Sequence, residues 1–271
     1  MPKIRSIIVS GNGVNCEYEM AYANFKAGAG AVDIVSIYEL LAGKKKLEDY
    51  QFLNLPGGFM DGDDLGAAKA GATRYQFSKV AGSNEILSDM IKRFIEDGKC
   101  IIGVCNGFQL LIKLGLLPAL DGEYFTQTAT LTGNDHGRFE DRWVRVVCDP
   151  DSPCVFTRGL HEMELPIRHG EGKFVPASAQ VYESMKRKKL VPMRYADTEG
   201  NPTEKYPENP NGSIEGVAGL CDETGRIFGL MPHPEAYTHR TNHPKWTREK
   251  LPEKGEGLIL FEKAISYLRQ A

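Results

Sequence analysis

Gly103-Val104-Cys105-Asn106-Gly107 constrains this chain more than any other feature, because it closes the apolar run Cys100 to Val104 and leads straight into the apolar stretch Phe108 to Leu114. A strand followed so closely by a helix leaves only a sharp turn for the cysteine. The pattern is Gly-x-Cys-x-Gly, the thiol counterpart of the nucleophile elbow. Backbone at such a turn is strained, and large side chains two residues to either side would clash. Gly103 and Gly107 remove them. The turn puts the sulfur at the carboxyl edge of a sheet, where open α/β folds bind ligands. The N-terminus of the following helix favours a thiolate over a thiol. A buried structural cysteine in a βα turn satisfies the same five positions, so the remaining sequence has to decide between the two.

That remaining sequence alternates strand and helix. Ile4 to Val9 is a β-branched run ended by Gly11-Asn12-Gly13, and Glu17 to Ala29 follows with helical character. Val32 to Ile37 and Phe52 to Leu55 read as the next strands, the latter stopped by Pro56-Gly57-Gly58. Ser83 to Asp97 is an amphipathic helix on the spacing of Ile86, Leu87, Met90, Ile91, Phe94 and Ile95. Short connections between alternating elements predict a mostly parallel central sheet flanked by helices, an α/β fold. The second half is less regular. Trp143 to Cys148, Leu165 to Arg168, Val191 to Tyr195, Val217 to Cys221 and Ile227 to Met231 read as strands, with Asp222-Glu223-Thr224-Gly225 as a hairpin turn. They predict a small antiparallel annex, with Asp197 to Ser213 as a polar loop and Glu256 to Leu268 as a closing helix. No internal repeat or linker divides the sequence, so residues 1–271 are expected to form one domain.

Composition excludes several function classes. With 41% hydrophobic and 25% charged residues, the 271-residue chain resembles an ordinary globular protein able to bury a large core. A formal net charge of -3 gives no electrostatic reason to expect nucleic acid or an anionic membrane as partner. No apolar run approaches the roughly 20 residues of a membrane span, and the apolar stretch near the N-terminus is too short for a signal peptide. A cytoplasmic location is expected. None of the cysteines at positions 16, 100, 105, 148, 154 and 221 forms a CxxC pair, so no metal site is expected.

A cysteine nucleophile needs a base, and the base needs an orienting carboxylate. Met231-Pro232-His233-Pro234-Glu235 supplies both at the end of an apolar strand. His and Glu two residues apart converge only if the chain leaves the strand in a turn. Attack on an amide also builds negative charge on oxygen, which fixed N–H groups must stabilise. Leu55-Pro56-Gly57-Gly58-Phe59 is a strand-end turn whose N–H groups no Cβ covers. The N–H groups of Gly58 and Asn106 are the candidate oxyanion donors. Each of these short patterns is weak alone. Together they predict a cysteine-histidine-glutamate site at one sheet edge.

Taken in order, Pro56-Gly57-Gly58, Cys105-x-x-x-Gln109 and His233-Pro234-Glu235 resemble the class I (triad) glutamine amidotransferases. Further blocks narrow the resemblance to the glutaminase component of phosphoribosylformylglycinamidine synthase. They are Gly13-Val14-Asn15-Cys16-Glu17, Gly137-Arg138-Phe139-Glu140-x-Arg142-Trp143, His169-Gly170-Glu171-Gly172 and Asn209-Pro210-Asn211-Gly212-Ser213. The resemblance implies a flavodoxin-like amidotransferase fold and the hydrolysis of glutamine. It implies Cys105 as nucleophile, His233 as base and acid, and Glu235 as its orienter. Gly57, Gly58, Asn106, Gln109 and Asn134 are the implied substrate-binding residues. The His169 block is implied to lie near the active site or the partner contact. The implied partner is a large synthetase subunit, with or without a small accessory subunit. No cofactor is expected in this chain. ATP and magnesium are expected in the synthetase, since Gly11-Asn12-Gly13 runs on to Cys16 and makes no phosphate-binding loop.

Some positions depart from the resembled pattern. Ala236 follows His-Pro-Glu where the family usually has arginine, and Met60-Asp61-Gly62-Asp63-Asp64 replaces Ser-Tyr-Gly-Asp-Tyr. Lys186 to Glu208 and Tyr237 to Glu253 are the segments expected to lengthen the chain. These departures bear on the partner surface, and hence on which synthetase is served. The competing readings are a glutaminase for another synthetase, a cysteine-elbow hydrolase or redox sensor, and a non-catalytic binding subunit.

Overall fold

The computed structural model describes residues 3–270. Its first half alternates as expected: β1 (Arg5–Ser10), α1 (Glu17–Lys26), β2 (Ala31–Ser36), α2 (Ile37–Leu41), β3 (Phe52–Leu55), α3 (Lys69–Phe77), α4 (Leu87–Glu96), β4 (Cys100–Val104) and α5 (Asn106–Lys113). The second half contains β5 (Ala129–Thr132), β6 (Glu140–Cys148), β7 (Glu162–His169), β8 (Lys173–Pro176), α6 (Ala179–Arg187), β9 (Met193–Tyr195), β10 (Val217–Cys221), β11 (Ile227–Leu230) and α7 (Leu258–Leu268).

Nine strands form one sheet in the order β2-β1-β3-β4-β11-β10-β9-β6-β7. From β2 to β11 the pairing is parallel, and from β11 to β7 it is antiparallel. The expected parallel sheet with flanking helices is therefore present. Strands β5 and β8 form a separate antiparallel pair. The other antiparallel strands extend the main sheet itself. The parallel strands are nearly all-apolar because helices cover both faces: every residue of β3 and β4 is buried. One continuous core runs from Ile4 to Leu268.

Several boundaries move for local reasons. Ile37 was expected to end a strand, yet Ser36 caps a helix there. Its Oγ accepts from Tyr38 N at 3.3 Å, while Glu39 Oε2 accepts from Ser36 N at 3.0 Å. α4 begins at Leu87 rather than Ser83 because Val80 to Ile86 closes a small hairpin, with Val80 N donating to Glu85 O. Lys186 to Glu208 holds the end of α6 and all of β9, an interior strand of the sheet. Asp197 to Ser213 is only partly a solvated loop, since Asn209, Asn211 and Ser213 are buried. Tyr237 to Glu253 packs back on the sheet, where Trp143 meets the rings of Tyr237 and His243 edge-on.

The turn between β10 and β11 decides where His233 can go. Asp222 is fully buried and ties the turn together, accepting from Ile227 N, Thr224 Oγ1 and the Tyr124 hydroxyl. The reversal sends β11 parallel to β4, with Gly229 opposite Gly103 and Leu230 opposite Val104. Both strands therefore end at the same edge, β11 three residues before His233 and β4 immediately before Cys105.

Candidate active site

Cys105 stands between β4 and α5 with φ 50° and ψ −104°, a backbone that non-glycine residues rarely adopt. Two close approaches hold it. A Cβ on Gly103 would lie 2.5 Å from the Gly107 carbonyl oxygen, and a Cβ on Gly107 would overlap the Leu55 carbonyl of β3. The elbow is thus clamped between its own helix and the neighbouring strand. Buried Phe108, Leu110, Leu111 and Ile112 anchor α5 in the core, each contributing roughly 1.5–3 kcal/mol by burial.

His233 leaves β11 at the same edge, its N–H donating to Pro166 O at 2.8 Å. A short 3₁₀ turn, Pro234–Ala236, follows and folds Glu235 back. His233 Nδ1 then lies 2.6 Å from Glu235 Oε1, with both side chains buried. His233 Nε2 is buried and has no protein partner. Cys105 and His233 line one small cavity with Asn15, Cys16, Gly58, Phe59, Phe139 and Arg168. Its volume is about 110 Å³, far below the roughly 300–1,000 Å³ of sites for drug-sized ligands. Burial opposes a charge on His233, but Glu235 and then the Cys105 sulfur outweigh it and raise the imidazole well above its ordinary value. The geometry brings together all three residues expected to form the triad.

Gly57 and Gly58 also sit here, each forced by a close approach. A Cβ on Gly57 would come within 2.7 Å of His233 Cε1. Gly58 has φ 141°, and a Cβ there would meet the Gly13 carbonyl at 2.5 Å. The Asn106 side chain turns away from the cavity, accepting from Met60 N at 3.0 Å and donating to Gln109 Oε1 at 3.0 Å. It ties the β3 turn to the elbow, and so fixes the two backbone segments that carry the candidate oxyanion donors.

Two other residues of the expected substrate-binding set make hydrogen bonds within the protein. Gln109 Nε2 donates to the Glu171 carbonyl at 2.6 Å, and its oxygen is taken by Asn106. Asn134 is fully committed: Nδ2 donates to the Arg138 and His169 carbonyls, while Oδ1 accepts from Gly172 N and faces His169 Nδ1. Neither lines the cavity. Gln109 ties the His169-Gly170-Glu171-Gly172 segment to α5, and Asn134 ties it to the loop after β5. Burial, then the charge of nearby His233, push His169 down to about 3, so it stays neutral.

Cys16, Arg168, Phe59 and Phe139 were not singled out as site residues, although Cys16, Phe59 and Phe139 fall inside the quoted blocks. Arg168 carried no sequence signal at all. Ligand atoms of Cys16, His233 and Glu235 lie within 4.8 Å of one another. Within this group His233 and Glu235 are hydrogen-bonded to each other at 2.6 Å.

A match to the CobB/CobQ-like glutamine amidotransferase domain covers residues 3–268. The chain belongs to this family. Among curated relatives, phosphoribosylformylglycinamidine synthase subunit PurQ of Methanococcus maripaludis is 41% identical, covering 100% of this chain and 98% of that protein. The PurQ subunit of Dehalococcoides mccartyi is also 41% identical, with complete coverage of both chains. Among solved structures, PurLQS from Thermotoga maritima matches with a TM-score of 0.70 at 28% identity, covering 98% of this chain and 100% of that one. Membership of the glutamine amidotransferases removes the redox-sensor and scaffold readings.

Proposed function

We propose that this chain is the glutaminase subunit of phosphoribosylformylglycinamidine synthase, releasing ammonia from glutamine for an ATP-dependent synthetase in purine biosynthesis. The observation that carries the reading is the buried Cys105–His233–Glu235 arrangement at the elbow, in a chain that matches PurQ subunits along their whole length.

The chemistry follows from the geometry. His233 takes the Cys105 proton, and Glu235 stabilises the resulting imidazolium. The sulfur attacks the side-chain amide of glutamine, and the oxyanion is met by the N–H groups of Gly58 and Asn106. His233 returns its proton to the leaving nitrogen, and ammonia departs. Water, activated by the same imidazole, hydrolyses the glutamyl thioester to glutamate and restores the thiol.

Ammonia is then used by a synthetase subunit, which would hold the ATP and magnesium. The Thermotoga maritima structure bears the name of such a complex, PurLQS. One face of α1 supports a docking surface: Tyr18, Tyr22 and Phe25 project into solvent at helical spacing. No helix among the described residues is long and apolar enough to cross a membrane, and a cytoplasmic location suits a nucleotide-forming reaction.

The test is glutamate release by the purified chain, alone and with the synthetase subunit, ATP and formylglycinamide ribonucleotide. Strong stimulation by the complete mixture is expected. Stimulation only by another synthetase and its substrate would refute the assignment.

A further inference from the structure

We infer that Arg168 is the residue that binds the α-carboxylate of the amino-acid substrate, an inference that rests on the glutaminase reading above. Arg168 is the penultimate residue of β7, and its carbonyl oxygen lies 3.5 Å from Cys105 Sγ. Its side chain therefore begins beside the nucleophile. It also lines an outer groove of about 480 Å³ with Tyr18, Tyr22, Glu235, Ala236 and Thr238. Among the described residues, Arg168 alone is common to the catalytic cavity and this groove.

The guanidinium is poised for a ligand. Nε and Nη2 are buried and have no hydrogen-bond partner, and Arg168 makes no ion pair among the described residues. Buried donors left unpaired are costly, and a guanidinium left so is the more costly for its charge. A carboxylate satisfies two such donors at once in a planar fork. Glutamine carries its α-carboxylate about 5 Å from the amide carbon when extended, from ordinary bond lengths. With the amide at Cys105, the carboxylate falls within reach of a side chain rooted beside that sulfur. Ala236, at the position where the resembled family usually has arginine, lies in the same groove and contributes no charge. Arg168 is the guanidinium that this groove retains.

The experiment measures side-chain amide hydrolysis by the complete complex, read as glutamate from glutamine and as glutamic acid α-amide from its α-carboxamide analogue, in which the side-chain amide is intact but the α-carboxylate is neutral. The wild-type complex is expected to prefer glutamine by about 30-fold or more in kcat/KM. Arg168→Ala should raise KM for glutamine by a similar factor with kcat nearly unchanged, and leave the analogue unaffected. Arg168→Lys should recover part of the loss and guards against misfolding of the alanine variant. Ammonia-dependent synthesis should be unchanged in both variants. Equal loss with both substrates, no wild-type preference, or lost ammonia-dependent synthesis would each overturn the proposal. Absence of any glutamine hydrolysis by the wild-type complex would instead sink the glutaminase reading itself.

Discussion

His233 Nδ1 and Glu235 Oε1 lie 2.6 Å apart although only Pro234 stands between the two residues, because the chain turns through a 3₁₀ segment directly after the histidine. The carboxylate holds the imidazole in one tautomer, with Nε2 left for the cysteine. It also helps raise His233 against the effect of burial. Removing the charge must therefore lower the pH at which the imidazolium loses its proton. Glu235→Gln should cost about 10²–10⁴-fold in kcat/KM for glutamine. The alkaline limb of the pH profile should move to lower pH. An unchanged limb with the same loss would mean that Glu235 acts only through packing.

Cys105→Ala should abolish glutamine-dependent synthesis by the complex and leave ammonia-dependent synthesis within about twofold of wild type, since only the nucleophile is lost. The pair of assays separates chemistry from assembly. Loss of both activities would make Cys105 a structural residue.

A diazoketone analogue of glutamine should alkylate Cys105 in preference to the other cysteines, as read by peptide mass spectrometry. Burial pushes Cys100 and Cys148 up to about 12 and raises Cys221 as well, so these remain thiols. Cys16 is the informative competitor because it lines the same cavity. Labelling of Cys16 at a comparable rate would count against Cys105 as the sole activated sulfur.

Asn134→Ala should act through the segment it fastens. The side chain is 4% exposed and serves the Arg138 and His169 carbonyls and the Gly172 N–H. Leaving such groups unpaired costs about 1–3 kcal/mol each. Faster amide exchange at residues 169–172 is expected, with a lower melting temperature. A large rise in KM for glutamine without either change would restore Asn134 to direct substrate contact.

The elbow and the strands leading to it were legible because their signals are local. Gly103 and Gly107 announce a clash, β4 is an unbroken apolar run, and β3 is apolar but for the buried Asn54. The convergence of His233 on Cys105 was readable only as a requirement of the chemistry. It depends on β11 pairing parallel to β4 after the Asp222 turn, a long-range register that no short pattern encodes. α3 has no sequence signal because Lys69–Phe77 has little apolar periodicity and is fixed by tertiary contact, with Gly71 packed against Met60. Strands β5 and β8 are only four residues each and find their partner across forty positions. Gln109 and Asn134 sit at the expected places, yet their amide N–H groups donate to backbone carbonyls. Sequence shows which amides are present and not which carbonyls will face them. Arg168 was invisible for a related reason: one arginine at a strand end carries no pattern, and its unpaired donors exist only once β7 is packed against the elbow.

Two glycines of this site should separate function from folding. A methyl group on Gly57 would meet the His233 ring at 2.7 Å and Cys16 Sγ at 3.3 Å, both side-chain atoms that can yield. Gly57→Ala should therefore fold, with the imidazole displaced. A shift approaching 1 Å at a catalytic base costs about 10²-fold in rate. A methyl group on Gly107 would instead overlap the Leu55 carbonyl, which is backbone inside the parallel sheet and cannot yield without parting β3 from the elbow. Gly107→Ala should lose about 2–4 kcal/mol of stability, in the range of strained or overpacked core changes. Thermal unfolding and ammonia-dependent synthesis distinguish the two. Gly57→Ala should keep both near wild type while glutamine-dependent synthesis collapses, whereas Gly107→Ala should lower the melting temperature first. The reverse assignment would mean that Gly57 supports the fold and that the elbow tolerates a side chain.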